Sequence, residues 1–201
     1  MAAPPFDYLD SMAWDIVIGA VLVGIAALRL PYKASSDSVE DGNKKLRTGF
    51  AAAIGASGFY LFITGISLSF MWPFAFNGGV YNILFGGLAT LGGLTLIATA
   101  IALFLNGGLS VVSYFAVIVG LYAVVDAYAM VTYGLTSNPQ LAALGYLAFA
   151  AAGFLSVPAT HSDNKYLRWI FAVFAFLFAI AWLYEAYNFT TGHLKPPPPT
   201  T

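Results

Sequence analysis

Cysteine is absent from the chain, which excludes disulfides, iron–sulfur clusters and thiolate metal sites. Histidine occurs twice. His161 and His193 fall outside the apolar runs and, on the topology derived below, on opposite sides of a membrane. That argues against a bis-histidine haem or a histidine-rich copper centre, whose ligands must meet. Charge is scarce: Asp, Glu, Lys and Arg make up 8% of the residues, against about a quarter in a soluble domain. The formal net charge of −1 argues against nucleic acid as a partner. Gly86-Gly87 and Gly92-Gly93 lack the strand-to-helix setting of a dinucleotide loop. No nucleophile–base pair or metal motif is visible, so an enzyme is not indicated.

What the chain has is hydrophobic length, with 60% of its residues apolar. Windows long enough to cross a bilayer, about 17–25 residues, fall at 12–30, 48–71, 80–105, 110–133, 140–157 and 166–188. Turn chemistry separates them: Pro31, Trp72-Pro73, Asn77-Gly78-Gly79, Asn106-Gly107-Gly108, Ser137-Asn138-Pro139 and Pro158. The prediction is an all-α membrane protein, a six-transmembrane-helix bundle in a single domain. A polar loop covers 31–47 and a mobile proline-rich tail covers 193–201. The first twelve residues hold no Lys or Arg, so the first helix is expected to be retained rather than cleaved as a signal.

Orientation follows from the loop cations. Seven of the eight Lys and Arg residues, namely Arg29, Lys33, Lys44, Lys45, Arg47, Lys165 and Arg168, flank the odd-numbered connections. Lys195 alone lies on the other side. Both termini are therefore expected outside the cell membrane, with the seven cations at the cytoplasmic face contacting anionic lipid or a partner.

Against this apolar background stand three carboxylates in the outer half of the bilayer: Asp15, Asp126 and Glu185. At 1.5 Å per residue, Asp126 lies about 10 Å inside the boundary. An intramembrane charge is expensive and marks a candidate functional site. Tyr81, Asn82, Tyr122, Tyr128, Tyr184 and Tyr187 are expected at comparable depth. Such a pocket could relay protons or hold a hard cation through oxygen ligands. The alternative is that Asp15 and Glu185 are interface residues close to water.

Helix 3 reads as the packing helix. Gly78, Asn82, Gly86 and Thr90 recur every four residues, with Ala89 and Gly93 as a second small pair, and small residues let membrane helices approach. There is also an internal echo. Asn43-Lys44-Lys45-Leu46-Arg47 opens helix 2, Asn164-Lys165-Tyr166-Leu167-Arg168 opens helix 6, and Asp126-Ala127-Tyr128 matches Glu185-Ala186-Tyr187. The echo suggests tandem helical hairpins 1–2, 3–4 and 5–6, although interface anchors recur in any membrane protein.

The basic first loop, Trp72-Pro73 and Tyr81-Asn82-Ile83-Leu84-Phe85-Gly86 together resemble an uncharacterised family, domain of unknown function 981. Its members are small polytopic membrane proteins found mainly in archaea and some bacteria. The resemblance implies a membrane location and no established activity, so no catalytic residue carries over. Two functions stay open. One is a non-catalytic subunit or scaffold of a larger, energy-converting membrane complex, with other membrane subunits or a second copy as partner. The other is a small transporter or channel using Asp126, Glu185 and Asp15. No cofactor is expected beyond lipids.

Overall fold

The computed structural model of the chain describes residues 8–30, 37–73, 79–162 and 164–193. Six helices follow in chain order: α1 (Leu9–Arg29), α2 (Asp37–Met71), α3 (Gly79–Phe104), α4 (Ser110–Tyr133), α5 (Pro139–His161) and α6 (Lys165–His193). There is no strand among the described residues. Each helix contains a stretch long and apolar enough to cross a membrane, as an all-helical polytopic membrane protein requires. In lipid the backbone must satisfy its own hydrogen bonds, and a helix does so within one segment.

The helix ends follow local chemistry. Gly134 closes α4 in the left-handed conformation (φ 62°), its N–H bonding the Met130 carbonyl, a role glycine fills without a Cβ penalty. Asn138 caps α5 through Oδ1, which accepts from the Leu141 N–H at 3.4 Å, with Pro139 in the first turn. Asn164 does the same for α6, accepting from the Tyr166 N–H at 2.9 Å.

Two boundaries differ from the sequence expectation. Pro158 does not end helix 5: it sits inside α5, which continues to His161. Pro158 offers no N–H to the Phe154 carbonyl, a loss worth about 3 kcal/mol in a helix interior. Ending the helix there would free several backbone groups in an apolar setting, which is worse. In α2, residues 37–47, expected in the polar loop, are helical. Lys44, Lys45, Leu46 and Arg47 are good helix formers, and the ladder runs on through them. Lys33, Gly78 and the tail 194–201 lie outside the described residues, as do residues 31–36 of the loop.

The six helices form a ring in chain order, with α6 closing onto α1. The closest pairs are α2–α3, α4–α5 and α1–α6, one step out of phase with hairpins 1–2, 3–4 and 5–6. In α2–α3 and α4–α5 small residues on both faces allow the close approach. A Cβ on Gly93 would lie 2.7 Å from the Gly58 carbonyl, and one on Gly58 would lie 2.9 Å from the Gly93 carbonyl. Gly65 and Gly86 repeat the contact seven residues along each helix, Gly65 against Ala89 and Thr90. Gly153 meets the Ala116 carbonyl of α4 in the same way. Between α3 and α4, by contrast, the Tyr122 ring stands against Gly87 and holds the helices apart. The expected packing residues Gly86, Ala89, Thr90 and Gly93 thus lie on the α2–α3 contact, and their partners Gly58 and Gly65 were not singled out in the sequence.

Candidate functional site

The ring is filled at one end and hollow at the other. The main hydrophobic cluster, which includes Met12, Leu68, Leu84, Phe85, Met130, Tyr146 and Trp182, occupies the half that holds the N-terminus of α1 and the C-terminus of α6. Toward the opposite end a chamber of about 790 Å³ opens inside the ring, lined by residues of all six helices.

The boundary between the two halves is aromatic. Phe85 of α3 meets Trp182 of α6 edge-on at 5.9 Å between centroids, and Tyr146 of α5 lies 6.3 Å from Trp182. Phe178 and Phe189 extend the cluster. The Tyr146 hydroxyl donates across the ring to the Leu84 carbonyl at 3.4 Å. Phe85, Tyr146 and Trp182 all line the chamber and form its floor. At the filled end, the Trp14 indole N–H donates to Thr190 at 3.0 Å, and Ser11 bonds Tyr60 at 2.5 Å, tying α1 to both of its neighbours.

The three acids divide at this boundary. Asp126 is 7% exposed, and its buried Oδ2 has no hydrogen-bond partner. Asp126 and Glu185 are both close enough to Tyr146 for their charges to act on it, and Asp126 acts on Tyr122 as well. Asp15 goes elsewhere. Its Oδ2 accepts from the Ser57 hydroxyl at 3.0 Å, and its carbonyl from the same hydroxyl at 3.3 Å, joining α1 to α2. Asn82 is fully buried, and Tyr81 stacks on Phe85 at 5.7 Å.

Tyr128 and Tyr187 do not join the acids. They are 68% and 61% exposed, and Tyr184 is also exposed. Two residues along a helix is a rotation of about 200°, so the tyrosine of an acid-Ala-Tyr triplet points away from the acid. Among the described residues no group of three or more His, Asp or Glu side chains gathers to hold a metal ion.

The basic residues divide too. Arg29, Lys44, Lys45 and Lys165 are exposed, whereas Arg47 and Arg168 turn inward and line the open end of the chamber. Arg47 donates to the Asn106 side chain at the end of α3, and its buried Nε has no partner. Arg168 donates through Nε to the Ala27 carbonyl at 2.7 Å and through a terminal nitrogen to the Leu30 carbonyl. Cations suit a helix C-terminus, where free carbonyls collect partial negative charge. In the third close pair Tyr114 of α4 meets His161 at the end of α5, 3.2 Å from hydroxyl to Nε2. In each close pair, then, a side chain on the basic-end part of the even helix reaches the C-terminal end of the odd one or the residues just beyond it. The matching basic pentapeptides at 43–47 and 164–168 are two instances of this contact.

Sequence reasoning missed the chamber and its floor. Its signal was present as small residues at inward positions of the hollow half, among them Gly19, Ala27, Gly92, Ala152 and Ala175. Phe85, Tyr146 and Trp182 carry no charge to single them out.

The chain matches, over residues 1–196, the family described as "Protein of unknown function (DUF981)". No curated protein and no solved structure matches it.

Proposed function

We propose that this chain, which belongs to the DUF981 family of proteins of unknown function, is a small carrier that admits its cargo to the chamber inside the helix ring. The observation that supports this most is the asymmetry of the ring: about 790 Å³ of lined space open at the basic end and closed by Phe85, Tyr146 and Trp182 at the acidic end. A carrier captured with one gate open has this shape, and broken symmetry between repeated helix pairs is how many transporters alternate access. By the distribution of basic residues the open end faces the cytoplasm and both termini lie outside. Asp126 and Glu185 stand behind the floor. When the aromatic layer parts they come to face the lumen, where an unpartnered carboxylate can take a proton or a cation as the cargo passes.

The scaffold reading, a subunit of a larger energy-converting complex, needs a surface that distinguishes a partner from lipid. The exposed side chains, such as Ile63, Val111, Val125 and Ile180, are apolar as lipid alone requires.

The lack of native cysteine allows a clean test. A thiol placed by Thr95→Cys in sealed vesicles should react with a membrane-impermeant maleimide from the basic side and, more slowly, from the acidic side. Labelling from the basic side alone at all times would remove the carrier. Copurification with other subunits in mild detergent would return the scaffold.

A further inference from the structure

The wall of the chamber shows what kind of cargo suits it. Thr95, Thr99, Ser113, Ser156 and Thr160 contribute hydroxyls, but each donates to a backbone carbonyl of its own helix at 2.6–2.8 Å. A sugar or an amino acid would find few free donors there. Apolar and aromatic groups make up the rest of the wall, and a pocket lined this way takes an apolar body and orients it with a few polar groups.

Those polar groups lie at the mouth, where the charge is of one sign. Arg47 and Arg168 line it, with His161 beside them, and no Asp or Glu lines the chamber among the described residues. Neither guanidinium pairs with a described carboxylate; their partners are an amide and two backbone carbonyls. The buried Arg47 Nε–H is unpartnered, and a buried donor of a guanidinium is costly to leave unmade. An anion at the mouth would complete it, since Arg binds carboxylate and phosphate oxygens through paired N–H groups.

The depth agrees. From Arg168 to Trp182 along α6 is fourteen residues, about 21 Å at 1.5 Å per residue. One leaflet of a bilayer with a hydrocarbon core of about 30 Å is roughly 15 Å thick. A chain that spans a leaflet therefore fits between the aromatic floor and the arginines, with room for a headgroup.

We infer that the chamber binds a single-chain amphiphile with an anionic headgroup, a carboxylate or a phosphate monoester, its head held by Arg47 and Arg168 and its tail on the floor formed by Phe85, Tyr146 and Trp182. This rests on the carrier reading for direction but not for binding. If two-sided thiol labelling succeeds and the amphiphile does not bind, the carrier stands with another cargo. If the amphiphile binds and labelling is one-sided, the protein is a binder and not a carrier.

Trp182 provides the test, because it sits on the floor and is 4% exposed. In a variant with Trp14, Trp72 and Trp169 changed to Phe, reconstituted in zwitterionic nanodiscs, a sixteen-carbon carboxylate brominated at its tail should quench Trp182 saturably. The same acid brominated beside the carboxylate should quench it little. Arg47→Gln and Arg168→Gln should each weaken binding by about tenfold, and the methyl ester of the acid should bind as weakly as either variant. Thr99→Phe, which fills the chamber without adding a second fluorophore and leaves both arginines, should abolish saturable quenching. Replacing the carboxylate with hexadecyl phosphate separates the headgroups, and the tighter one names the class. Equal affinity for acid and ester, equal quenching from both bromine positions, or equal competition by acetate or inorganic phosphate would overturn the proposal.

Discussion

Neutralising Asp126 should stabilise this protein. Asp126 is 7% exposed and its buried Oδ2 lacks a partner, an arrangement that costs about 1–3 kcal/mol for the desolvated oxygen alone. Asp126→Leu removes the oxygen and adds apolar volume beside Met130 and Ala127 in the filled half. The net gain should be about 1–3 kcal/mol. For a chain of this length each kcal/mol moves the melting temperature by about 2–4 °C, so the variant should melt about 2–12 °C higher in nanodiscs, followed by circular dichroism. Asp126→Asn, neutral but still polar, should fall between it and the native protein. Asp15 is the control with the opposite sign. Its carboxylate accepts from the buried Ser57 hydroxyl at 3.0 Å, so Asp15→Ala should lower stability by about 0.5–1.5 kcal/mol, the net worth of one hydrogen bond. If Asp126→Leu destabilises as Asp15→Ala does, Asp126 has a partner and the reasoning about an unmet acid behind the floor is wrong. A stabilising change that abolished transport would identify Asp126 as a residue kept for function at the expense of stability.

Other consequences are more local. Gly93→Leu drives a side chain into the Gly58 backbone and should cost about 3 kcal/mol or more, measured as lost helical signal or lost monodisperse protein; Gly92→Ala, which meets open space, should be tolerated. Tyr146→Phe removes the bond to the Leu84 carbonyl and should cost about 1 kcal/mol, whereas Trp182→Ala opens the floor and should cost about 3–5 kcal/mol, both read from thermal melts. Arg168→Gln frees the Ala27 and Leu30 carbonyls at the end of α1 and should speed amide exchange in the last turn of that helix.

The number of helices and their apolar character were legible because lipid allows few solutions: a bilayer-length apolar run must be a helix. The pairing was not. These helices are apolar along their length, so their pairing depends on which surfaces fit, as Gly58 fits Gly93, and that needs both helices at once. Pro158 misled for a related reason, since a proline that stops a helix in water is carried through in lipid.

The site was half legible. Asp126 stood out because charge is rare, and it is indeed buried. Shared depth, however, says nothing about direction. Asp15 bonds Ser57 of α2, Asp126 is buried without a partner for its Oδ2, and Tyr128 and Tyr187 face outward because they lie two residues beyond their acids. Arg47 and Arg168 were read as lipid anchors along with their neighbours, and only their inward turn separates them from Lys44, Lys45 and Lys165. The chamber is written in the absence of large side chains, a pattern that also describes tight packing.

The account stands or falls on a hollow half closed by an aromatic floor. Cysteine substitutions down the inner face of α3, at Leu103, Thr99, Thr95, Leu88 and Asn82, probed from the basic side with an impermeant anionic thiosulfonate, test it directly. Labelling should proceed through Leu88→Cys and stop before Asn82→Cys. No labelling beyond Leu103→Cys would mean a solid bundle, and labelling at Asn82→Cys would mean an open pore; either result contradicts the chamber described above.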